Sequence, residues 1–198
     1  MLDPTKLVDS DQFPSDLDGS WQIFLMDGFT ILESGSPPFT GNVEFSLKEI
    51  GDFNGDGNAD ILLRRETTGR WFIYLMNGLG ILDKGAPAMT ENIDFSFIGL
   101  ADFNADRRSD VIMRRMIDGR FFVYLLDGLE ILSAGAPSMT RNPDFGVVEL
   151  ADYDGDGKDD VMMRRLDGVF YLYMMDGVTS VGIRPAMTKN SAWIPVVE

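Results

Sequence analysis

The 198-residue sequence contains no cysteine and no histidine. Disulfides, thiolate nucleophiles, Cys/His zinc sites and a Ser-His-Asp triad are therefore all excluded. The missing cysteine does not fix the compartment, since a secreted protein need not carry disulfides. Basic residues are also scarce: 17 Lys and Arg face 32 Asp and Glu, for a net charge of −15. No basic run offers nucleic acid a footprint. No apolar run approaches the ~20 residues of a membrane span, and Met1 to Lys6 does not read as a basic-then-apolar leader. Neither nucleic acid nor membrane insertion is expected. What is present, 44% hydrophobic and 25% charged, is the composition of one folded domain over 1–198.

The acidity is organised. Three segments spaced fifty residues apart read Asp52-Phe-Asn-Gly-Asp-Gly-Asn-Ala-Asp60, Asp102-Phe-Asn-Ala-Asp-Arg-Arg-Ser-Asp110 and Asp152-Tyr-Asp-Gly-Asp-Gly-Lys-Asp-Asp160. Each puts oxygen side chains at positions 1, 3, 5 and 9: Asp52, Asn54, Asp56 and Asp60; Asp102, Asn104, Asp106 and Asp110; Asp152, Asp154, Asp156 and Asp160. Position 7 (Asn58, Arg108, Lys158) is free to offer its backbone carbonyl. A hard cation such as Ca²⁺ takes six to eight oxygens at about 2.3–2.6 Å, so this alternation suits it. Glycines at positions 4 and 6 let loops one and three curl tightly. Loop two has Ala105 and Arg107 there, with Arg108 adjacent, and is expected to bind more weakly. Three divalent ions would take the net charge from −15 to −9, so much of the acidity reads as ligand demand. A structural ion is favoured over a catalytic one, because no repeated His, Lys or Glu stands by as a base.

The fifty-residue period runs through the rest of the chain. Trp21, Trp71, Phe121 and Phe170 open matching apolar segments that end in Asp27-Gly, Asn77-Gly, Asp127-Gly and Asp176-Gly. Each unit resolves into four short strands; in the second these are 45–50, 61–66, 71–76 and 79–83. Asn-Gly and Asp-Gly between apolar runs predict type I′ hairpins. The units are bounded at about 1–44 (partial), 45–94, 95–144 and 145–192. The first lacks an acidic loop, and Trp193 to Glu198 supplies one opening strand, so the two ends complement each other. Repeated four-stranded units describe the blades of a β-propeller, all-β throughout. Four blades would close within one chain as a monomer, or two chains exchanging ends would make eight as a homodimer.

The acidic loops, each followed by an apolar strand and the Leu-Met-Asn-Gly or Met-Met-Asp-Gly hairpin, resemble FG-GAP or VCBS-type repeats of integrin α-subunit-like propellers. That resemblance covers the chain from about Trp21 onward. It implies a Ca²⁺-stabilised propeller, outside the cell or at its surface, whose loops on one face bind other molecules.

Two recurring features have competing readings. Arg64-Arg65, Arg114-Arg115 and Arg164-Arg165 follow the strand that leaves each loop. They form either a guanidinium ring for acidic ligands or local pairs that hold blades together; local pairing is favoured because they recur with the repeat. The aromatics at 21, 24, 71, 74, 121, 124, 170 and 173 read as packing between blades and not as a sugar platform, with Met89, Met139 and Met187 as plugs. The functional expectation is a non-enzymatic adhesion-type module for a protein or glycan. Alternatives are a lectin with repeated sugar pockets or a structural assembly domain. An enzyme of the glycosidase or lyase kind ranks last, because an active site needs residues that differ between units.

Overall fold

A computed structural model describes residues 21–39 and 44–186. Within them the chain is all-β: fourteen strands in four antiparallel sheets, with no helix. The first sheet pairs β1 (Ile23–Asp27) with β2 (Thr30–Gly35). The second runs β3 (Phe45–Gly51), β4 (Asp60–Arg65), β5 (Trp71–Asn77) and β6 (Gly80–Gly85). The third repeats this as β7 (Phe95–Ala101), β8 (Asp110–Arg115), β9 (Phe121–Asp127) and β10 (Glu130–Gly135). The fourth does so as β11 (Phe145–Ala151), β12 (Asp160–Arg165), β13 (Phe170–Asp176) and β14 (Thr179–Ala186). Each four-stranded sheet is a simple meander, every strand hydrogen-bonded to the next in sequence. Trp193 to Glu198, expected to complete the first unit, and Leu2 to Ser10, which stands where that unit lacks an acidic loop, lie outside the described residues.

The hairpins between third and fourth strands differ from the type I′ expectation. Asn77 pairs with Gly80 and Asp127 with Glu130, so the two central residues are Gly78-Leu79 and Gly128-Leu129. Only the glycines have positive φ, 60° at both Gly78 and Gly128. Glycine at the first central position is the pattern of a II′ turn. The Asn or Asp closes the strand and leaves the turn to glycine.

Both faces of β5 and of β9 are buried, each face against a different neighbour. Trp71, Ile73 and Leu75 pack with Val111, Met113, Tyr124 and Leu126 of the following sheet. Tyr74 and Met76 point the other way, onto Ile23. The paired aromatics of one strand therefore sit on opposite faces, three residues apart. Met89 and Met139, only 4% and 8% exposed, fill the seams as plugs. Beside them, the Tyr124 hydroxyl accepts the Thr90 N–H at 2.9 Å and Tyr173 accepts that of Thr140 at 3.0 Å.

Each four-stranded sheet carries two bulges. One sits in the first strand, at Lys48, Ile98 and Val148. The other sits in the outer strand, at Leu82, Leu132 and Val181, with Leu32 equivalent in β2.

The arginine pairs divide as alternation requires. The first of each pair turns inward. Arg64 lies 4.8 Å from the Trp71 ring and donates to the carbonyls of Phe95, the first residue of the next unit, and Asn92, in the segment that leads into it. Arg114 repeats this with Phe121, Phe145 and Asn142. The second turns outward to an acid: Arg65 to Glu44, Arg115 to Asp118, Arg165 to Asp167. Local pairing is what the structure contains.

Arg64→Met should cost about 2–4 kcal/mol in urea denaturation, because it strands two carbonyls in a buried seam. Arg65→Met, which breaks a surface pair, should cost less than about 1 kcal/mol. Equal losses would refute this division of roles.

Candidate metal centre

Each acidic loop connects the first strand of a sheet to the second, and its shape is dictated by side chains accepting backbone N–H groups. In loop one, Asp52 accepts from Gly55 at 2.7 Å and from Gly57 at 2.8 Å. Asn54 accepts from Asp56 at 3.0 Å and Asp56 from Asn58 at 2.8 Å. Loop three repeats this. Asp152 accepts from Gly155 and Gly157 at 2.7 and 2.9 Å, and Asp156 from Lys158 at 2.9 Å. Successive Asx turns wind the chain around a point toward which positions 1, 3 and 5 converge. The Gly157 and Gly155 N–H groups help hold the Asp152 carboxyl below its usual range.

Loop two winds the same way without glycine. Ala105 and Arg107 take φ values of 63° and 66°, alongside 78° and 82° for Gly55 and Gly57. Asp102 accepts from Asp106 at 3.1 Å and from Arg107 at 2.7 Å, and Asp106 from Arg108 at 2.9 Å. The Asx turns thus impose a left-handed backbone on two residues that disfavour it by about 1–2 kcal/mol each.

The position-9 aspartates stand apart from the rest. Asp60, Asp110 and Asp160 are almost wholly buried, at 0%, 0% and 1% exposure. One oxygen of Asp60 accepts the Phe53 N–H at 2.8 Å and the other that of Met76 at 2.7 Å. Asp110 does the same with Phe103 and Leu126, and Asp160 with Tyr153 and Met175. Each carboxylate thereby bolts its loop to the end of the third strand. Burial pushes Asp60 up to about 6 and Asp110 up to about 7, with the nearby loop aspartates adding to the rise.

Position 7 carries a charge that spacing alone did not place. Lys158 Nζ lies 3.3 Å from Asp156 and 3.1 Å from the hairpin Asp176. Arg108 lies 3.5 Å from Asp106 and 3.4 Å from Asp127, and its Nε reaches the Asn54 carbonyl of loop one. Loops two and three each hold an internal cation at the rim.

The loops also form the seam between units. The Asp52 carbonyl accepts from Ser109 of the next loop at 2.7 Å, and the Phe53 carbonyl from hairpin Gly128 at 2.7 Å. One period later Asp102 accepts from Asp159 and Phe103 from Gly177, at 2.7 and 2.8 Å.

The donor set fits a hard cation. Carboxylate oxygens of Asp152, Asp154 and Asp156 lie within 4.8 Å of one another. Two oxygens on one Ca²⁺ can be separated by at most about two bond lengths, near 5 Å. Asp160 is outside that group, its oxygens already committed to two N–H groups.

Compared with known families, residues 52–113 and again 102–163 match the FG-GAP-like repeat, each match beginning at the first aspartate of a loop. The chain belongs to the FG-GAP-like repeat family. The two matches together span more than half of its length. No curated protein sequence matches it. The FG-GAP-like unit thus starts at one acidic loop, includes the whole of the next and ends within the strand that leaves it, so it contains a whole seam.

Sequence reasoning missed the aromatic at position 2 of these FG-GAP-like loops. Phe53 and Phe103 are 0% exposed, and their backbones serve both the aspartate bolt and the seam. Their apolar letter within an acidic run was the available signal.

Because loop two holds two non-glycine residues at positive φ, Ala105→Gly and Arg107→Gly should each stabilise the protein by about 0.5–1 kcal/mol. Gly155→Ala should do the opposite. Urea denaturation of the three variants checks this, and a loss on introducing glycine would contradict it.

Proposed function

We propose that this protein is a non-enzymatic, calcium-stabilised β-propeller that acts as an adhesion-type binding module for a protein or glycan, at the cell surface or outside the cell. The observation that carries the reading is the placement of the acidic loops on the seams between units. An ion there would fasten one blade and stiffen its contact with the next. Positions 1, 3 and 5 would hold it: Asp52, Asn54 and Asp56; Asp102, Asn104 and Asp106; Asp152, Asp154 and Asp156. The position-7 carbonyls and a remaining lone pair of Asp60, Asp110 or Asp160 would complete each set. The ion's chemistry here is charge neutralisation and crosslinking.

The propeller arrangement is supported by the first strands, β3 with β7 and β7 with β11, which approach one another across each boundary. The same hydrogen bonds recur at both seams, so each unit relates to the next by one repeated operation. A binding role is supported by the repeat itself, which builds equivalent positions where catalysis needs unlike groups.

Stability should therefore depend on Ca²⁺ and pH together. Asp60 and Asp110 bind protons more tightly folded, at about 6 and about 7, than in the unfolded chain, at about 3.9. In metal-free protein their contribution is full below about pH 4 and lost as pH rises through 6 to 7. Ca²⁺ favours the ionised carboxylates and reverses the trend, adding about 2.7 kcal/mol per site at a hundredfold excess over Kd. The Tm difference between Ca²⁺ and EDTA should grow from pH 5 to pH 8, and Asp56→Ala should remove part of it. Identical melting curves in Ca²⁺ and EDTA would refute the calcium reading.

The ring closes either within one chain of four blades or between two chains making eight. Light scattering over a wide concentration range distinguishes them: a constant monomer mass supports four blades, a dimer that persists on dilution supports eight, and open-ended growth refutes closure.

A further inference from the structure

The second unit differs from its repeats at the end opposite the acidic loop. There a cavity of about 330 Å³ is walled by Phe39, Phe45, Phe72 and Tyr74, with Arg70 and Lys84 at its mouth. Phe39 and Tyr74 have ring centroids 4.5 Å apart, Phe72 and Tyr74 5.1 Å, and Phe45 and Phe72 6.1 Å, so the four rings form one continuous apolar wall. Lys84 Nζ stands 5.7 Å from the Tyr74 ring centroid. Phe95 and Phe145, which correspond to Phe45, are only 8% and 2% exposed, whereas Phe45 is half-buried.

The pair of charges is particular to this unit, although Arg70 by itself recurs as Arg120. Lys84 corresponds to Ser34, Ala134 and Ile183, and Arg70 to Arg120 and Val169. Among the described residues no carboxylate pairs with either cation, although the chain carries a net charge of −15. Two cations with no acidic partner among the described residues, set over an aromatic wall, make a place for an anion attached to a ring. The volume is at the small end of the ~300–1,000 Å³ range of ligand sites, sized for a single ring.

We propose that this pocket binds an acidic pyranose, a hexuronic acid residue of a glycan, with its carboxylate held by Arg70 and Lys84. Guanidinium matches carboxylate in a two-bond fork. The C–H face of the sugar lies on the aromatic wall, and its hydroxyl edge stays in water on the open side. This rests on the binding-module reading and supplies its ligand. It also separates two jobs: calcium at one end of the sheet, ligand at the other.

The test is calorimetric titration of the full chain, in Ca²⁺ and again in EDTA, with methyl glucuronide, methyl glucoside and benzoate. Saturable binding of the glucuronide is expected, with the neutral glucoside about tenfold weaker or more, as fits loss of a charge-assisted hydrogen bond. Arg70→Gln and Lys84→Ala should each weaken the glucuronide by about tenfold while keeping the Ca²⁺-dependent rise in Tm, which shows that both variants fold. No glucuronide binding, equal binding of the glucoside, tighter binding of benzoate, or variants that bind like the parent would each overturn the proposal. Any of these with the Ca²⁺ rise intact leaves the calcium reading standing. Loss of that rise with glucuronide binding retained condemns the calcium reading alone.

Discussion

An ionisable carboxyl enclosed by protein on every side is costly unless something compensates for the lost water. In this fold Asp60, Asp110 and Asp160 each accept two backbone N–H groups, one from the loop's second residue and one from the penultimate residue of the third strand. Those bonds fix the loop relative to the sheet, and the loop then places the Asp52 and Phe53 carbonyls where the next unit can donate to them. Without the bolt, the Asx turns would still curl the loop, but nothing would hold it in register with its neighbour.

From that anchor the architecture follows by repetition. The two seams between four-stranded sheets use one vocabulary: loop carbonyl to loop N–H, loop carbonyl to hairpin glycine, inward arginine to two carbonyls, and a plug beneath a tyrosine hydroxyl. Such contacts are heterologous, joining different surfaces of successive units. Repeating one rotation of this kind either closes on itself or continues without end.

Much of this was legible in the sequence because oxygen spacing and turn glycines are local signals. The strand boundaries in the second unit come within two residues of those observed, and the inward–outward division of the arginine pairs follows from strand alternation. The rest required three dimensions. Nothing in the letter Asp at position 9 distinguishes a ligand from a residue claimed by Met76, sixteen positions away. The hairpin was mistaken for Asn-Gly because Asn77 sits beside the glycine; only the pairing with Gly80 shows that Leu79 is the second turn residue. Ala105 and Arg107 looked like obstacles to the loop, yet side-chain hydrogen bonds hold them in a glycine conformation. The pocket over Phe72 was invisible because its residues come from four separate stretches of chain.

The outer-strand bulges have a colloidal consequence. A strand on the rim of a sheet exposes unpaired N–H and C=O groups, which another chain can use as a template. Leu82, Leu132 and Val181 interrupt that row in three successive sheets, and Leu32 does so in the first. All four are more than half exposed. A bulge bends and twists its strand, so an incoming strand finds no straight partner longer than a few residues. The repeat thus multiplies a device against fibril growth together with everything else it copies, and the chain can present many rims without aggregating through them.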